Sequence, residues 1–234
     1  MGFSKRDAPN CTVCPYRQDC FYWALDKGAQ KEWKDLRIAN KFEPGDVVFY
    51  DGEKPNGVYV VCTGKAKTYK TSRSGQQMIT RIMGPGQLLG YRSLLAGENY
   101  SGSSEAMQES VVSFIDQAAF DRFLVTHPKA AIALLKKLAM DVRESQDKAM
   151  DIVHKPAKAR VSDALLRMMH MNGHKTPVVS GVKRKEIAEM AGLTVETTVR
   201  VLADLEARGL IRREEKTIVI LDQEKVKQLS TLTS

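Results

Sequence analysis

The 234-residue chain lacks the long apolar runs that mark a membrane protein. No stretch approaches the roughly 20 apolar residues that a membrane helix needs, and the first 18 residues are polar rather than the apolar core of a signal peptide. Histidine is scarce, and all four histidines lie at or beyond position 127. We therefore expect a cytoplasmic protein with no membrane partner and few imidazole ligands.

Motifs of catalysis are missing as well. The chain has no paired nucleophile and base, no phosphate-binding glycine loop and no His-Glu metal motif. The segment Gly84-Pro85-Gly86 is better interpreted as a turn. We therefore expect a protein that is not an enzyme.

The chain is basic, and the excess charge is uneven. The formal net charge is +8. Residues 154–234 carry 15 Lys and Arg against 10 Asp and Glu, whereas residues 1–126 carry 16 against 14. An anionic partner such as nucleic acid is therefore expected at the C-terminal third.

The pattern of apolar residues changes along the chain. From Phe42 to Ile115, short apolar runs alternate with Gly-containing turns, as in a small all-β barrel or roll. From Pro128 to about Val153 the apolar period becomes three and four residues, which predicts one long helix. A further helix is expected through Met171, followed by a loop or short hairpin from Gly173 to Gly181.

The long helix carries an apolar seam suited to a two-stranded coiled coil. An alternative is that part of the helix packs on its own β-roll. The predicted dimer interface consists of Ile132, Leu135, Leu138, Ala139, Val142, Ser145 and Ala149.

Residues 183–209 predict a helix-turn-helix. A first helix over 183–191 is followed by a turn at Gly192, and Thr194 is a suitable N-cap for a second helix that Gly209 ends. Beyond it, two strand-like runs joined by charged residues predict a wing hairpin. An ordinary helical hairpin with a solvated charged face is the alternative, which the wing and the local positive charge make weaker.

The exposed face at the start of the second helix has the chemistry to contact bases. Arg200 can donate two hydrogen bonds to guanine, Glu196 can accept from cytosine, and Val195 or Val199 can touch a thymine methyl group. The basic residues at the start of the first helix lie where they would contact DNA phosphates. The full set of predicted DNA-contacting residues is Lys183, Arg184, Lys185, Thr194, Val195, Glu196, Thr197, Val199 and Arg200.

The segment from Gly192 to Arg200 closely resembles the recognition-helix motif of the CRP/FNR family of transcription regulators. The order of parts is similar too, so the resemblance covers nearly the whole chain. It implies an α+β protein with an N-terminal β-roll (a jelly roll like that of cyclic nucleotide-binding domains), a long dimerisation helix and a C-terminal winged helix-turn-helix. The corresponding domains are 1–25 (cysteine-rich), 26–126, 127–153 and 154–234.

The resemblance also implies partners. Members of this family form homodimers that bind palindromic sites in double-stranded DNA, and RNA polymerase is an expected partner. The pattern from Val195 to Arg200 is more similar to the FNR branch than to the CRP branch, which usually has Arg in place of Val195. It implies half-sites related to TTGAT, although Val199 replaces the Ser common in that branch.

The effector is not expected to be cAMP. Family members that bind cAMP hold its ribose with an acid and its phosphate with an Arg. Here the corresponding segments are 86–93 and 100–106, and the second contains no Arg. A phosphate buried without a cation would be poorly compensated, and Arg92 is better interpreted as a surface residue. Because the predicted β-roll contains no histidine, His-ligated haem is excluded there.

Three cysteines lie within ten residues near the N-terminus. The pattern Cys11-x2-Cys14-x5-Cys20 is similar to the N-terminal motif that holds a [4Fe–4S] cluster in oxygen-sensing FNR-type regulators. Such clusters are usually held by four thiolates. The resemblance therefore implies a cluster that senses oxygen or nitric oxide. A structural zinc site, redox-active thiols, and control by another small molecule in the β-roll remain alternatives.

The fourth ligand is less clearly marked. In the FNR branch it lies on a late strand of the β-roll, where this chain has Ser113. Cys62 is the one remaining cysteine and becomes the fourth ligand if the N-terminal loop packs beside it. Asp116 or Asp19 are carboxylate alternatives.

The predicted seam also departs from the FNR pattern. Ser145 occupies the place where FNR-type proteins often have an acidic residue, whose repulsion weakens the cluster-free dimer. Asp141 and Asp147 lie nearby and are expected to face outward. Without that repulsion, a dimer that persists without a cluster is expected.

Overall fold

The computed structural model describes residues 2–5, 8–16, 20–171, 177–181, 183–215 and 217–233. The chain divides into two compact units, one made of residues 1–76 and 80–142 and the other of residues 77–79 and 143–234. Among the described residues, no helix has the length and apolar character needed to cross a bilayer.

The first unit begins with an N-terminal segment of short helices. Two 3-10 helices, Cys11–Val13 and Phe21–Ala24, precede helix α1 (Lys27–Leu36). Asp26 caps α1 by accepting a hydrogen bond from the backbone N–H of Ala29 at 3.0 Å. This capping satisfies one of the free N–H groups that every helix start exposes.

The β-roll that follows consists of two four-stranded antiparallel sheets. Their orders are β1-β8-β3-β6 and β2-β7-β4-β5. The strands are β1 (Ile38–Phe42), β2 (Val47–Phe49), β3 (Gly57–Thr63), β4 (Ala66–Thr71), β5 (Gln77–Met83), β6 (Leu88–Leu89), β7 (Ser103–Ala106) and β8 (Ser110–Asp116). Helix α2 (Tyr91–Ala96) lies between β6 and β7, and α3 (Gln117–Thr126) follows β8.

Alternate residues of β3 face two different hydrophobic cores, as the two-residue period of a strand requires. Tyr59 and Val61 belong to the core inside the roll. Val58 and Val60 belong to a second core outside it, which Trp33 of α1 also enters. The N-terminal segment therefore covers the outer face of the sheet that contains β3.

Helix α4 (Pro128–His154) matches the predicted long helix. Several predicted seam residues are exposed on it, with Ile132 at 53%, Leu135 at 63% and Val142 at 57%. Ala139, Ser145 and Ala149 are exposed as well. Leu138 instead packs against the outer core of the first unit.

The prediction for Asp141 was wrong, although Asp147 is exposed as expected. Asp141 is only 4% exposed. Its carboxylate accepts hydrogen bonds from the hydroxyl of Tyr91 and from Arg81, and it lies 3.6 Å from the ammonium group of Lys137. The buried carboxylate is thus compensated by a hydroxyl and two cations, which the helical period alone does not reveal.

The second unit is a winged helix-turn-helix. It contains α5 (Ala157–Met171), β9 (Val178–Ser180), α6 (Arg184–Ala191), α7 (Val195–Ala207), β10 (Ile211–Arg213), β11 (Thr217–Ile220) and α8 (Gln223–Ser230). The three strands form one antiparallel sheet in the order β10-β11-β9. The predicted loop or short hairpin over 173–181 contributes strand β9, which pairs with β11, while residues 172–176 lie outside the described part of the chain.

We predict that Asp141→Asn lowers the free energy of unfolding by about 2–4 kcal/mol, because it removes the buried carboxylate that pairs with half-buried Arg81. Burial raises the pKa of Asp141, but the hydrogen bonds from Tyr91 and Arg81 outweigh it and the net shift is downward from 3.8. The difference between the wild type and the variant should therefore shrink as the pH falls below 3.8.

Denaturant unfolding followed by tryptophan fluorescence measures this effect, because Trp23 and Trp33 both lie in the first unit. The matched control is Asp147→Asn, on the same helix but exposed, which should change stability by less than about 0.5 kcal/mol. Equal effects of the two substitutions at neutral pH would contradict the assigned role of Asp141.

Candidate DNA-contacting surface and four-cysteine site

The turn between α6 and α7 is held from both sides. Gly192 ends α6 with a φ of 63°, a left-handed conformation that favours glycine. Arg160 of α5 donates from Nη1 to the carbonyl oxygens of Ala191 and Gly192 at 3.3 and 3.2 Å. Thr194 then caps α7 by accepting from the backbone N–H of Thr197 at 3.2 Å. These contacts fix the direction of α7.

Helix α7 separates a buried face from an exposed one. Thr198, Leu202 and Leu205 are buried. The predicted base-contacting residues lie on the other side, where Glu196 and Arg200 are exposed, Val195 is 40% exposed and Val199 is half-buried. Glu196 and Arg200 are one helical turn apart, so both side chains project from the same surface near the N-terminal end of the helix.

One side chain of this surface is already partly ordered. The guanidinium of Arg200 lies 3.5 Å from the hydroxyl of Thr197, which also accepts from the hydroxyl of Thr194 at 3.1 Å. The contact is long and leaves most of the guanidinium donors available. The planar guanidinium of Arg200 can therefore donate two parallel hydrogen bonds to the edge of one base.

The basic residues at the start of α6 are exposed, as expected for phosphate contacts. Lys183 is the N-cap of α6, and its backbone N–H donates to Glu186 at 2.8 Å. Arg184 follows it in the first turn. Lys185 lies 3.5 Å from the buried carboxylate of Glu189, with 65% of its own side chain exposed. Its ammonium group therefore remains accessible from solvent.

The wing adds cations that the sequence analysis did not assign. Arg213 of β10 binds Glu206 of α7 through its side chain at 2.5 Å and its backbone N–H at 2.8 Å. These bonds hold the pKa of Glu206 below its usual range. Arg212 is more exposed and lies 3.2 Å from Glu214. The ion pair and hydrogen bond of Arg213 with Glu206 thus attach the wing hairpin to α7.

The second candidate site lies in the first unit, where the N-terminal segment meets the β-roll. Cys62 of β3 and Ser113 of β8 are both buried, and Cys62 Sγ is 3.0 Å from Ser113 Oγ. The register of β3 on β8 shifts between Val61 and Thr63, which makes Cys62 the extra residue of a β-bulge. A bulge redirects the side chain that it carries.

This contact clarifies the position of the fourth thiol. The resemblance placed the fourth ligand at Ser113, and the thiol of Cys62 lies directly against the Ser113 hydroxyl from the neighbouring strand. Asp116 is instead exposed and caps α3 by accepting from the backbone N–H of Ala118 at 2.9 Å. Asp19 lies outside the described residues. The contacts therefore favour Cys62 over Asp116.

Two of the N-terminal thiols have raised pKa values. Burial raises the pKa of Cys11, and charge on Cys62 or Cys14 would raise it further. Burial also raises the pKa of Cys20 to about 11, a shift to which Cys11 and Cys62 contribute. None of the four forms a disulfide. Cys11 and Cys20 are therefore protonated at neutral pH, and a metal that binds them must displace those protons.

A buried guanidinium accompanies the thiols. Arg37 is 4% exposed, and its Nη1 lies 3.5 Å from Cys62 Sγ and 3.4 Å from Ser113 Oγ. Its Nη2 donates to the carbonyl oxygen of Pro9 at 2.9 Å, while its Nε has no hydrogen-bond partner. The sequence does not reveal this residue, because a single Arg between a helix and a strand carries no recognisable signal.

The donor set suits an anionic metal centre. The thiol of Cys62 contacts a permanent cation whose Nε lacks a hydrogen-bond partner, and thiolates are the ligands that iron–sulfur clusters and structural zinc prefer. Among the described residues, no group of three or more His, Cys, Asp or Glu side chains is arranged to hold a metal ion in this conformation. Movement of the N-terminal segment would therefore have to accompany binding.

The segment that corresponds to the cyclic nucleotide site of the family is followed by a buried tyrosine. Tyr91 stands at the end of the Gly86–Gly90 segment, is 1% exposed, and belongs to the outer core. Its hydroxyl donates to Asp141. Arg92 is exposed, as expected for a surface residue.

Comparisons with known proteins match both units. The cyclic nucleotide-binding domain family matches residues 39–127, and the Crp-like helix-turn-helix domain family matches residues 159–229. The chain is 28% identical over 189 residues to the CRP-like cAMP-activated global transcriptional regulator of Mycobacterium tuberculosis, covering 79% of this chain and 84% of that protein. It is 26% identical over 222 residues to the transcriptional activator protein FnrA of Stutzerimonas stutzeri, covering 91% and 89%.

The fold is also that of a solved structure. FixK2 from Bradyrhizobium japonicum superposes with a TM-score of 0.76 at 22% identity, covering 85% of this chain and all of that one. These matches confirm the predicted α+β architecture and the prediction that the protein is a regulator rather than an enzyme. With the two domain families in the predicted order and regulators among its relatives, the chain belongs to the CRP/FNR family of DNA-binding transcription regulators.

Proposed function

We propose that the protein is an FNR-like regulator that binds a palindromic DNA site as a homodimer and senses oxygen or nitric oxide through a [4Fe–4S] cluster. Cys11, Cys14, Cys20 and Cys62 would hold the cluster. The observation that carries this proposal is the contact of Arg37 with the buried Cys62 thiol through one nitrogen and with Pro9, two residues before Cys11, through another. When bound, the cluster supplies a group that reacts with oxygen or nitric oxide.

Cyclic AMP is not the effector in this proposal. The M. tuberculosis relative is named as cAMP-activated, but this chain has neither the acid nor the Arg that would hold the nucleotide. The buried ring and hydroxyl of Tyr91 are already engaged at the corresponding segment, the hydroxyl by Asp141. Arg92 is exposed rather than directed into a core.

A cluster-free regulator with another effector in the β-roll is the second candidate. It is favoured by the lack of a ready metal-binding arrangement among the described residues. In that case the four thiols would be structural or redox-active. We also propose RNA polymerase as a partner in either case, as the resemblance to the CRP/FNR family implies.

We predict that protein purified without oxygen contains about four irons and four sulfides per chain and absorbs broadly in the visible range. Cys62→Ser should lower the iron content, because the fourth thiolate is lost. The matched control is Asp116→Asn, which leaves the thiols intact. Iron and sulfide analysis with absorbance spectroscopy provides the measurement. A colourless, iron-free wild type would contradict the cluster, and equal iron in Cys62→Ser and the wild type would contradict the fourth ligand.

For DNA binding we predict that Arg200→Ala costs about 1–3 kcal/mol on a palindrome of TTGAT half-sites and much less when the contacted base pair is changed. Lys185→Ala should weaken binding to all sequences about equally, because a phosphate contact carries no base information. Fluorescence anisotropy with matched and altered duplexes measures both. If the two variants behaved alike, the assignment of the recognition surface on α7 would be wrong.

For the dimer we predict that Leu135→Lys raises the dissociation constant of the homodimer at least about tenfold, or 1.4 kcal/mol, because it introduces a charge into the apolar seam. Met140→Lys is the matched control, since Met140 is 71% exposed on the same helix but lies outside the predicted seam. Sedimentation equilibrium distinguishes them. Dissociation caused by Met140→Lys alone would place the interface on a different face of α4.

A further inference from the structure

A buried cation lies against Cys62 in the candidate four-cysteine site. Arg37 is 4% exposed, and none of the described carboxylates forms an ion pair with it. Burying a cation without a counter-charge is costly, and such charges are normally paired. The groups that do surround Arg37 are the Cys62 thiol, the Ser113 hydroxyl and the Pro9 carbonyl group.

The guanidinium bridges two parts of the first unit that are distant in sequence. One nitrogen contacts Cys62 and Ser113 on β3 and β8, and another binds Pro9, two residues before Cys11. Arg37 itself follows α1 and precedes β1. A planar group with several fixed donors is suited to holding such contacts at the same time, whereas the single ammonium group of Lys is not.

The contact with Pro9 brings the guanidinium to the segment that carries the N-terminal cysteines. Cys11 follows Pro9 by two residues and is itself buried. Arg37 therefore binds the N-terminal segment with one nitrogen and Cys62 of the roll with another.

We propose that Arg37 is the positioning residue of the four-cysteine site. It holds Cys62 next to the N-terminal loop, and its permanent charge compensates the thiolates that a bound metal centre requires. This inference rests on the proposed metal-binding function of the site. The positive charge that compensates the thiolates is then supplied by the protein itself rather than by solvent ions.

The first experiment uses cobalt(II) alone as the probe, added without oxygen to the full-length metal-free protein. The intensity of the thiolate-to-cobalt absorbance reports how many thiolates bind. Arg37→Met should bind cobalt at least about tenfold more weakly, with the lower intensity that Cys62→Ser also gives. Arg37→Lys keeps the charge and should lie between Arg37→Met and the wild type. Arg92→Met removes an exposed Arg from the same unit and should match the wild type.

The second experiment distinguishes the effect of the Arg37 charge on the metal centre from an effect of Arg37 on folding. After anaerobic reconstitution with iron and sulfide, removal of the cation should make the reduction potential more negative, because positive charge favours the more anionic reduced form. Arg37→Met should show this shift and Arg37→Lys should not. If Arg37→Met unfolds, Arg37→Lys still tests the proposal, since it should keep the wild-type potential while cobalt binding weakens.

The outcomes separate this inference from the function on which it rests. A wild type that binds neither cobalt nor iron overturns both. A wild type that binds metal through Cys11, with Arg37→Met indistinguishable from it in affinity, intensity and potential, overturns the role of Arg37 alone.

Discussion

The contact between the guanidinium of Arg37 and the thiol of Cys62 is the interaction on which the proposed four-cysteine site depends. Through Pro9, the same guanidinium joins the N-terminal segment to the β-roll, where Trp33 and Phe21 complete a hydrophobic core. The apolar core provides the burial. In our proposal, Arg37 provides the positive charge that metal-bound thiolates need.

The DNA-binding half depends on a different kind of constraint. Arg160 and the cap at Thr194 fix the turn before α7 through hydrogen bonds to backbone and side chain. The buried face of α7 then leaves Glu196 and Arg200 on the outside. The predicted base-contacting groups therefore lie on a helix whose direction is fixed, while Arg213 binds the wing to the same helix.

The sequence predicted the elements whose signals are local. Periodicity was sufficient for α4, and glycine and capping signals were sufficient for α6 and α7. The predicted run of strands begins at Phe42 and therefore leaves out most of β1. Ser103–Ala106 has no apolar run of its own and forms β7 through pairing with β2 and β4. Strand β9, in the predicted loop or short hairpin, pairs with β11 far along the chain. Such pairings depend on long-range contacts that no local pattern encodes.

The same limit applies to the candidate site. The spacing of Cys11, Cys14 and Cys20 is a local motif, whereas the approach of Cys62 required a bulge in β3 and the packing of an entire segment. Arg37 and the burial of Asp141 were not predictable, because each depends on partners from three separate elements. Side chains with long-range partners are thus where sequence reasoning was least informative.

The most direct test of the account is the affinity of the anaerobic wild-type protein for its palindromic site, measured before and after a stoichiometric addition of oxygen. The visible absorbance is recorded in the same samples. The account predicts that affinity and absorbance fall together, and that neither falls in a sample kept without oxygen. Full DNA binding that persists after the absorbance has disappeared would contradict it.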